Sequence, residues 1–366
     1  MTEISVLFLT RYPVEGASSR YRVYQYLPHL EKLGVRCDAQ SFMDTTLYDL
    51  SFTSGAVTLK VVKTIAAAAR RLMVLQHWRK YDIIFMQREL LPFGPPLIER
   101  YLRSKGCCLV FDYDDALFIK KASRYNPIAT MLRSPNKVRQ IMKNVDCVVA
   151  GNSWLRDVAE EEGARAVTIE VAEDTDRIPM HPGHTNARPL TIGWLGSPST
   201  VKYLNLIAPV LERIARTFPR VRFELVGGGA FEMKGVDWQH TTWSLDGEIE
   251  ALQRFDIGLM PLPSEDWAKG KSGGKARTYM AAGVVPVCTD VGYNRELIRH
   301  GETGFLCTDE KSWFEALSHL IEDPTLRQRI ADGGRADVQA RFSPAQQAAR
   351  LRDVFDCLLA EKLLEK

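Results

Sequence analysis

Residues 257–288 read IGLMPLPSEDWAKGKSGGKARTYMAAGVVPVC and carry the clearest structural pattern in the chain. Two short apolar runs, Ile257–Met260 and Val285–Cys288, flank a polar loop and a segment that predicts a helix from about Gly274 to Gly283. Apolar runs without polar alternation are typical of strands buried on both faces of a parallel sheet. The stretch therefore predicts a strand–loop–helix–strand unit.

The same alternation extends over the whole chain. Further short apolar runs are Ile4–Leu9, Ile83–Met86, Leu109–Phe111, Cys147–Ala150, Val167–Val171, Leu190–Leu195 and Val221–Val226. Amphipathic stretches lie between them, such as Val23–Leu33, which predicts a helix kinked at Pro28. Strand–helix alternation predicts an α/β protein with doubly wound parallel sheets.

The length of 366 residues fits two domains of ordinary size. Residues 178–189 contain three prolines and a glycine and predict a linker between them. We expect one domain at 1–177, a second at 190–343, and a last helix at 344–366. Because α/β sheets bind ligands at the carboxyl ends of their strands, we expect the site in a cleft between the domains.

The composition excludes several classes of protein. It is 45% hydrophobic and 25% charged, which is typical of a folded chain rather than a disordered or collagen-like one. The net charge of +3 implies no nucleic-acid partner. The seven cysteines lack metal-ligand spacing, and the pair His181 and His184 lacks further ligands nearby, so we expect no metal site. Without a signal peptide or a spanning run, we expect a cytoplasmic protein.

Basic residues crowd the junction between the loop and the predicted helix: Lys269, Lys271, Lys275 and Arg277. Gly273 and Gly274 leave backbone amides uncovered at the start of that helix. Uncapped amides, the positive helix dipole and ammonium groups together favour a phosphate site. The alternative is a solvated basic turn.

Two further features lie in the second half. Gly227 and Gly228 follow a predicted strand, where glycine lets a ligand approach the backbone closely, although tight turns use glycine equally often. Trp243 lies shortly after them and either lines a nucleotide-base pocket or fills the core.

In the first half, the segment Gly16–Arg22 follows the first strand and runs into a helix, with Ser18 or Ser19 as the predicted N-cap. It lacks the G-x-G-x-x-G fingerprint of dinucleotide-binding domains. Arg20 and Arg22 lie unfavourably at the positive end of the helix dipole, which predicts an anion beside them. The alternative is two exposed arginines.

Three carboxylates, Asp112, Asp114 and Asp115, end a predicted strand. Their mutual repulsion favours a site that binds hydroxyls or a cation or supplies a base. The alternatives are a divalent metal site and acids that cap a helix or face solvent.

Residues 61–80, within a predicted basic helix at 60–80, combine an alanine- and leucine-rich sequence with five basic side chains. This pattern favours peripheral contact with an anionic membrane surface, such as the inner face of a membrane. The alternative is a domain helix with one wet face.

Several motifs, in their order and spacing, carry a resemblance to a known family. They are Ile192–Thr200 (IGWLGSPST), Leu225–Gly229 (LVGGG), Lys275–Gly283 (KARTYMAAG), Thr289–Glu296 (TDVGYNRE) and Gly301–Leu306 (GETGFL). They resemble the sugar-nucleotide-binding domain of retaining, GT-B-fold glycosyltransferases of the group 1 (family 4) class. The resemblance implies two Rossmann-like domains that face each other across a cleft, with the last helix returning to the first domain.

The resemblance also implies the chemistry. A sugar would pass with retention, and without metal or cofactor, from a nucleotide-diphosphate-sugar co-substrate to the hydroxyl of a glycan, lipid-linked or small-molecule acceptor. The first domain would bind the acceptor and the second the donor.

The candidate residues follow from both lines of argument. We expect Lys271 and Lys275 to stabilise the leaving diphosphate, and Asp112 and Asp114 to orient the acceptor hydroxyl as catalytic residues. The expected donor-binding residues are Gly16, Arg20, Ser197, Lys202, Gly227, Gly228, Trp243, Asp266, Gly273, Gly274, Arg277 and Thr278. The expected acceptor-binding residues are Ser18, Arg22 and Asp115.

The chain departs from the family pattern at two places. The family has two glutamates with seven residues between them where this chain has Gly270 and Thr278. Its usual Arg/Lys pair for the diphosphate corresponds to Ser197 and Lys202, so Lys271 and Lys275 would restore the missing charge. The alternative function is a non-catalytic sugar-nucleotide or glycan-binding protein on the same fold; a nicotinamide-dependent oxidoreductase is disfavoured because the fingerprint is missing.

Overall fold

The computed structural model describes residues 3–53, 55–119, 134–185 and 188–364. It divides into two compact units. Unit 1 comprises Met1–Ala172 with Pro344–Lys366, and unit 2 comprises Glu173–Ser343. The segment 178–189, predicted as a linker, falls within unit 2, and its residues 186 and 187 lie outside the described part of the chain.

Unit 1 is built on a parallel six-stranded sheet with the strand order β2-β1-β3-β4-β5-β6. Its strands are β1 Ile4–Thr10, β2 Val35–Ser41, β3 Ile83–Gln87, β4 Cys108–Tyr113, β5 Cys147–Ala150 and β6 Ala166–Thr168. Its α-helices are α1 Ala17–Ser19, α2 Leu27–Lys32, α3 Thr45–Leu50, α4 Val57–Leu75, α5 Leu97–Ser104, α6 Pro135–Met142, α7 Ser153–Glu161 and, at the far end of the chain, α15 Pro344–Leu364. A π-helical turn, Arg20–Tyr24, and a 3-10 turn, Trp78–Lys80, complete the unit.

Unit 2 repeats the architecture with the strand order β12-β11-β10-β7-β8-β9, again parallel throughout. Its strands are β7 Thr191–Leu195, β8 Arg222–Val226, β9 Trp238–Thr241, β10 Ile257–Met260, β11 Val285–Thr289 and β12 Phe305–Cys307. Its helices are α8 Ala208–Thr217, α9 Leu245–Leu252, α10 Asp266–Lys269, α11 Gly274–Ala282, α12 Asn294–Leu297, α13 Glu310–Glu322 and α14 Pro324–Arg341, with a 3-10 segment Val201–Ile207. The predicted doubly wound α/β architecture is confirmed.

Each sheet is buried on both faces because successive apolar side chains of a strand point to opposite sides. In β1, Leu7 and Leu9 belong to one hydrophobic cluster, whereas Val6 and Phe8 belong to another. The second cluster includes Phe355 of α15, whose ring centre lies 6.3 Å from that of Phe8. The last helix therefore belongs to the core of unit 1.

Two local predictions about the first helix were wrong. Pro28 does not kink a continuous helix: the π-helical turn ends at Tyr24, and Pro28 lies in the first turn of α2, where its missing N–H costs nothing. The N-cap of α1 is Gly16 rather than Ser18 or Ser19, without a side-chain hydrogen bond.

The histidine pair of the predicted linker is tied to the start of β10. His184 Nδ1 lies 3.3 Å from an oxygen of Asp256, the His181 and His184 rings stack at 4.4 Å, and all three side chains are buried. Their ligand atoms lie close enough together to hold a metal ion. Arg188, however, donates to both oxygens of Asp256 at 2.9 and 3.0 Å, so the carboxylate already has its cation. The three residues are too few for a structural zinc site, which takes four protein ligands.

Among the described residues, no helix combines the length and the apolar character that crossing a bilayer requires.

Candidate functional site

The loop before α11 presents backbone amides at a helix start. Gly273 adopts the left-handed conformation with φ +66°, and Gly274 begins the helix with nothing within 4 Å of the position that a Cβ would occupy. The helix ends at Ala282 with Gly283 as its cap, as predicted. The open space above Gly274, at the start of a helix, suits an anionic ligand.

Lys275 extends from this helix over the end of β7. Its ammonium group lies 5.4 Å from the centre of the Trp194 ring. A Cβ on Gly196, which follows β7, would lie 2.7 Å from the Cε atom of Lys275. Glycine at 196 thus leaves room for the lysine stem, and the positive charge lies at the carboxyl end of the strand, where α/β sheets bind ligands.

The ends of β7 and β8 meet at the same place. A Cβ on Gly227 would lie 2.6 Å from the carbonyl oxygen of Gly196 and 2.9 Å from the Cβ of Trp243. Trp243 is 40% exposed, and its indole N–H donates to the carboxylate of Glu248. The exposed ring of Trp243, next to the carboxyl ends of β7 and β8, suits stacking with a planar ring. Sequence reasoning missed Gly196 and Glu248.

A second group of cations lies on aromatic rings. The ammonium of Lys271 is 4.4 Å from the centre of the Trp267 ring, and that of Lys202 is 5.5 Å from the Tyr203 ring. Because the Tyr203 and Trp267 rings are 5.5 Å apart, the two lysines border one aromatic pair. Ser197 lies on the exposed loop after β7, where its hydroxyl contacts that of Ser199 at 2.8 Å.

Several predicted donor-binding residues face the interior instead. Arg277 is 0% exposed, with its guanidinium 4.6 Å from the ring centre of Phe342 and 5.8 Å from that of Tyr293. A Cβ on Gly228 would lie 2.3 Å from Leu225, so this glycine serves packing. Asp266 forms a surface ion pair with Lys269 at 2.7 Å. The buried side chain of Arg277 and the tightly packed Gly228 do not fit the predicted contacts with a donor, whereas the exposed Asp266 stays a prediction.

Thr278 is also internal, bound to a carboxyl group that sequence reasoning missed. Its hydroxyl donates to Glu173 Oε2 at 2.7 Å and lies 3.1 Å from the carbonyl oxygen of Gly274. Burial raises the pKa of Glu173 to about 7, against the opposing effect of the Thr278 hydrogen bond. A carboxyl group with a raised pKa therefore lies under the start of α11.

In unit 1, Arg22 and Asp112 form a buried ion pair. Arg22 donates from Nε at 3.1 Å and from Nη2 to the carboxylate, and both side chains are 0% exposed. Burial raises the pKa of Asp112 to about 6, and Arg22 opposes that rise. For Arg22, the anion that was predicted beside the arginines of the first helix is therefore Asp112. The predictions that Arg22 contacts the acceptor and that Asp112 is catalytic were wrong, because each satisfies the other inside the protein.

The other two carboxylates of the strand end form a polar network. Ser18 donates to Asp114 at 2.9 Å, and Arg88 lies 3.7 Å from Asp114 and 3.3 Å from Asp115. Arg88 has a left-handed backbone with φ +67°, which is unusual for a residue with a side chain and is typical of functional sites. Gln87 donates to Ser18 at 2.9 Å and so links the network to β3.

Gly16 and Arg20, predicted to approach the donor, make local contacts. A Cβ on Gly16 would lie 2.3 Å from the Cβ of Tyr12, so the glycine serves this close approach. Arg20 donates to the carbonyl oxygens of Val14 and Glu15 at 3.4 and 3.2 Å. The acceptors that the structure gives Arg20 are therefore neutral backbone carbonyls and not the predicted anion.

Comparison with known proteins finds a family match within unit 2. Residues 189–323 match the family of glycosyl transferases group 1. This stretch includes Gly196, Gly227, Trp243, Gly274 and Lys275. None of the curated proteins matches the chain significantly in sequence.

The whole fold is similar to those of solved glycosyltransferases. Sucrose-phosphate synthase from Thermosynechococcus elongatus has a TM-score of 0.71 at 14% identity, over 98% of this chain and 100% of that one. Anabaena HepE in complex with UDP-glucose has a TM-score of 0.68 at 15% identity, over 97% and 100%. A glycosyltransferase from Rickettsia africae has a TM-score of 0.66 at 15% identity, over 98% and 99%. The fold is that of the GT-B glycosyltransferases.

Proposed function

We propose that this protein transfers a sugar, with retention and without a metal or another cofactor, from a nucleotide-diphosphate-sugar to an acceptor hydroxyl. The observation that carries the proposal is the position of Lys275. Its ammonium group lies at the carboxyl ends of β7 and β8. Lys275 also directly follows Gly274, above which the space is open. Such a combination suits a diphosphate.

The chemistry requires stabilisation of a departing nucleoside diphosphate. Charge develops on its phosphate oxygens as the sugar leaves, and fixed amides with an ammonium group stabilise that charge without reorganisation. Lys275 and the first-turn amides of α11 perform this role, and Lys271 and Lys202 lie on the aromatic pair in the same unit. The base of the nucleotide stacks on Trp243, and the hydroxyls of the ribose donate hydrogen bonds to Glu248.

Unit 1 binds the acceptor in this proposal. Asp114 and Asp115 accept hydrogen bonds from the acceptor hydroxyls, and Arg88 fixes both carboxylates by its contacts at 3.7 and 3.3 Å. A carboxylate that accepts a hydroxyl proton in the transition state acts as a general base. Ser18 keeps Asp114 oriented through its hydrogen bond.

Nucleotide binding is tested by thermal shift with UDP, GDP and TDP, because a ligand that binds the native state raises its melting temperature. We expect UDP to stabilise the protein most, since the structurally similar HepE was solved with UDP-glucose. Lys275→Ala should remove most of that shift, whereas Lys311→Ala, at an 81% exposed side chain in the same unit, should retain it. A full UDP shift in Lys275→Ala would contradict the assignment.

Transfer is tested separately, with UDP-sugars and an excess of EDTA. Release of UDP in the presence of EDTA, with the α-anomer retained in the product, supports the proposed reaction. UDP binding without turnover on any donor would favour the second candidate, a sugar-nucleotide-binding protein. The observation that favours this candidate is that the place of one family glutamate is taken by Thr278, which is turned inward to Glu173.

Contact with a membrane belongs to the same proposal, and it rests on helix α4. Its buried positions include Ala67 and Arg71, whereas its solvent side carries large apolar residues: Val57, Leu59, Val61, Val62, Ile65, Leu72 and Met73, each 43% exposed or more. This is the inverse of an ordinary surface helix. From Val57 to Tyr81 the sequence has six basic residues and no acidic one, which suits an anionic lipid surface.

Co-sedimentation with vesicles of phosphatidylglycerol and phosphatidylcholine tests this contact. Ile65 is 64% exposed, so Ile65→Glu should weaken vesicle binding about tenfold or more without disturbing the fold. Leu206→Glu, at a 50% exposed residue of unit 2, is the matched control and should bind as the parent does. Equal binding of the two variants would contradict the assignment.

A further inference from the structure

Three arginines gather around one phenylalanine in unit 1. Arg11 follows β1, and Arg70 and Arg71 lie on α4. The guanidinium carbons of Arg11 and Arg71 are 5.0 and 5.7 Å from the ring centre of Phe42, which is buried. We refer to Arg11, Arg70 and Arg71 as the arginine cluster. It lies at the carboxyl ends of β1 and β2, the side on which α/β sheets bind ligands.

The hydrogen bonds of Arg70 and Arg71 use a small part of their donor capacity. Nη2 of Arg71 donates to the carbonyl oxygens of Thr10 and Gln40 at 2.7 and 3.3 Å, and Nη2 of Arg70 donates to that of Phe42 at 2.9 Å. A guanidinium carries five N–H groups. Arg71 is 1% exposed, and its Nε has no hydrogen-bond partner within the described part of the chain.

Arg11 and Arg70 repel the buried guanidinium group of Arg71. The charge of Arg70 helps to lower the pKa of Asp44, so this carboxylate lies near the cluster. Asp44 is engaged elsewhere, however: it accepts from the backbone N–H of Leu47 at 2.7 Å and pairs with Lys63 at 3.1 Å. Burial, together with repulsion by Arg11 and Arg70, lowers the pKa of Arg71 to about 9. A bound anion would relieve this repulsion and supply the missing acceptor.

The cluster adjoins the carboxylate network. The backbone N–H of Arg11 donates to Gln87 Oε1 at 3.0 Å, and Gln87 donates to Ser18, which in turn donates to Asp114. One chain of hydrogen bonds therefore connects the proposed hydroxyl-binding carboxylates to the arginines. A ligand that offered a hydroxyl to Asp114 and an anionic group to the arginines would use both.

We infer that the arginine cluster binds a phosphate or diphosphate group carried by the acceptor. The inference rests on the proposed function, since it names the chemical class of the substrate that unit 1 binds. Guanidinium groups match phosphate oxygens through paired hydrogen bonds, and two partly exposed arginines in front of a buried one can contact several oxygens. The opposing interpretation is that the arginines serve only to cap the strand carbonyls.

Calorimetric titration of the full chain with pyrophosphate tests the inference. Saturating UDP is present throughout, so that the site in unit 2 is occupied. Arg70→Gln, at a partly exposed position, should weaken pyrophosphate binding about tenfold, equivalent to loss of about 1.4 kcal/mol. Arg79→Gln is the matched control, because Arg79 is exposed, lies just beyond α4 and stacks on Trp78 at 4.8 Å. Arg11→Gln provides a second variant should Arg70→Gln fail to fold.

A second arm separates the sources of the phosphate. Vesicles with phosphatidic acid present a phosphate monoester, and vesicles with an equal charge of phosphatidylglycerol present a diester. If Arg70→Gln loses affinity for phosphatidic acid alone, the phosphate is lipid-borne; if it loses affinity for pyrophosphate alone, the phosphate is soluble. Parent-like affinity of both cluster variants in both arms, or equal losses on the two kinds of vesicle with parent-like pyrophosphate binding, would overturn the inference.

The two proposals fail separately. Arg70→Gln should keep the UDP-induced thermal shift, and Lys275→Ala should keep pyrophosphate binding in unit 1. A variant that loses the UDP-induced thermal shift but still binds pyrophosphate has a defect in the donor site. A variant that loses pyrophosphate binding but keeps the UDP-induced shift has a defect in the arginine cluster.

Discussion

The hydroxyl of Thr278 donates a hydrogen bond of 2.7 Å to the carboxyl group of Glu173, which is buried beneath the start of α11. Burial raises the pKa of Glu173 from 4.5 to about 7. Between these values the unfolded chain has lost the proton and the folded chain still holds it. Stability should therefore fall as the pH rises through this window.

Replacing Glu173 by glutamine should remove that loss, since the amide oxygen still accepts from Thr278 and carries no charge. The shift corresponds to up to about 3 kcal/mol. We expect Glu173→Gln to match the parent at pH 4 and to exceed it in unfolding free energy at pH 8, as measured by denaturant titration. Glu322→Gln, at an exposed residue, is the control. A parent-like decline with pH in Glu173→Gln would show that another group titrates.

The histidine pair gives the opposite dependence on pH. Burial, together with the charge of His184, lowers the pKa of His181 from 6.5 to about 4, while Asp256 opposes the shift and Arg188 and Arg327 add to it. The unfolded chain binds a proton near pH 6.5 that the folded chain refuses until about pH 4. Stability should therefore fall as the pH decreases from 6.5 towards 4.

His181→Gln should flatten this acid-side decline by up to about 3 kcal/mol. The measurement is the unfolding free energy at pH 7 and at pH 4.5. His240→Gln replaces an exposed histidine of the same unit and should retain the parent slope. If both variants decline alike, the acid sensitivity arises elsewhere than at His181.

The central strands could be predicted from the sequence because each is a short apolar run, as in β10 and β5. The edge strands β2, β9 and β12 could not, although the edge strand β6 overlaps the predicted run Val167–Val171. β2 has the sequence VRCDAQS, in which most side chains are partly or fully exposed, and β9 is WQHT. A strand with a neighbour on one side alone has no need for a continuous apolar run, so its pattern resembles that of a loop.

The sequence predicts a candidate site but does not assign roles to its residues. The glycines and basic residues at 269–277 predict an anion site, which stays a prediction; the structure shows open space above Gly274 and the Lys275 ammonium group close to Trp194 of β7. The same local pattern includes Arg277, which points into the core. Sequence spacing gives no direction for a side chain on a helix that is buried almost throughout, so tertiary contacts alone separate Lys275 from Arg277.

The interior position of Arg277 leads to a third prediction. Its three guanidinium nitrogens are buried and have no hydrogen-bond partner among the described residues, although two aromatic rings lie beside it. A buried charge without hydrogen bonds opposes folding, and apolar replacement of similar volume is often neutral or stabilising. We expect Arg277→Met to keep or raise the melting temperature and to leave the UDP-induced shift unchanged.

Arg277→Ala is the comparison, because it removes the same charge and also leaves a cavity. It should lose about 2 kcal/mol or more relative to Arg277→Met. If the methionine variant instead loses the UDP shift while remaining folded, Arg277 contacts the donor as the sequence predicted, and the interior placement would need revision.

The adjacent glycines of the α11 loop separate a structural from a ligand-binding role. A Cβ at position 273 would meet Leu297 Cδ2 at 2.6 Å on a backbone with φ +66°, whereas a Cβ at position 274 would meet nothing within 4 Å. Gly273→Ala should therefore destabilise unit 2 by about 1–2 kcal/mol. Gly274→Ala should leave the unfolding free energy within about 1 kcal/mol of the parent.

For UDP affinity we expect the opposite order, with Gly274→Ala as the more damaging substitution. If a diphosphate lies against the amides that begin α11, the methyl group of Gly274→Ala occupies the space that its oxygens need, and UDP affinity should fall by about tenfold or more despite a parent-like fold. Calorimetry on the folded variant measures the affinity, and denaturant titration measures the stability. Undiminished UDP binding in Gly274→Ala would place the diphosphate elsewhere, because the open space above Gly274 would then have no occupant.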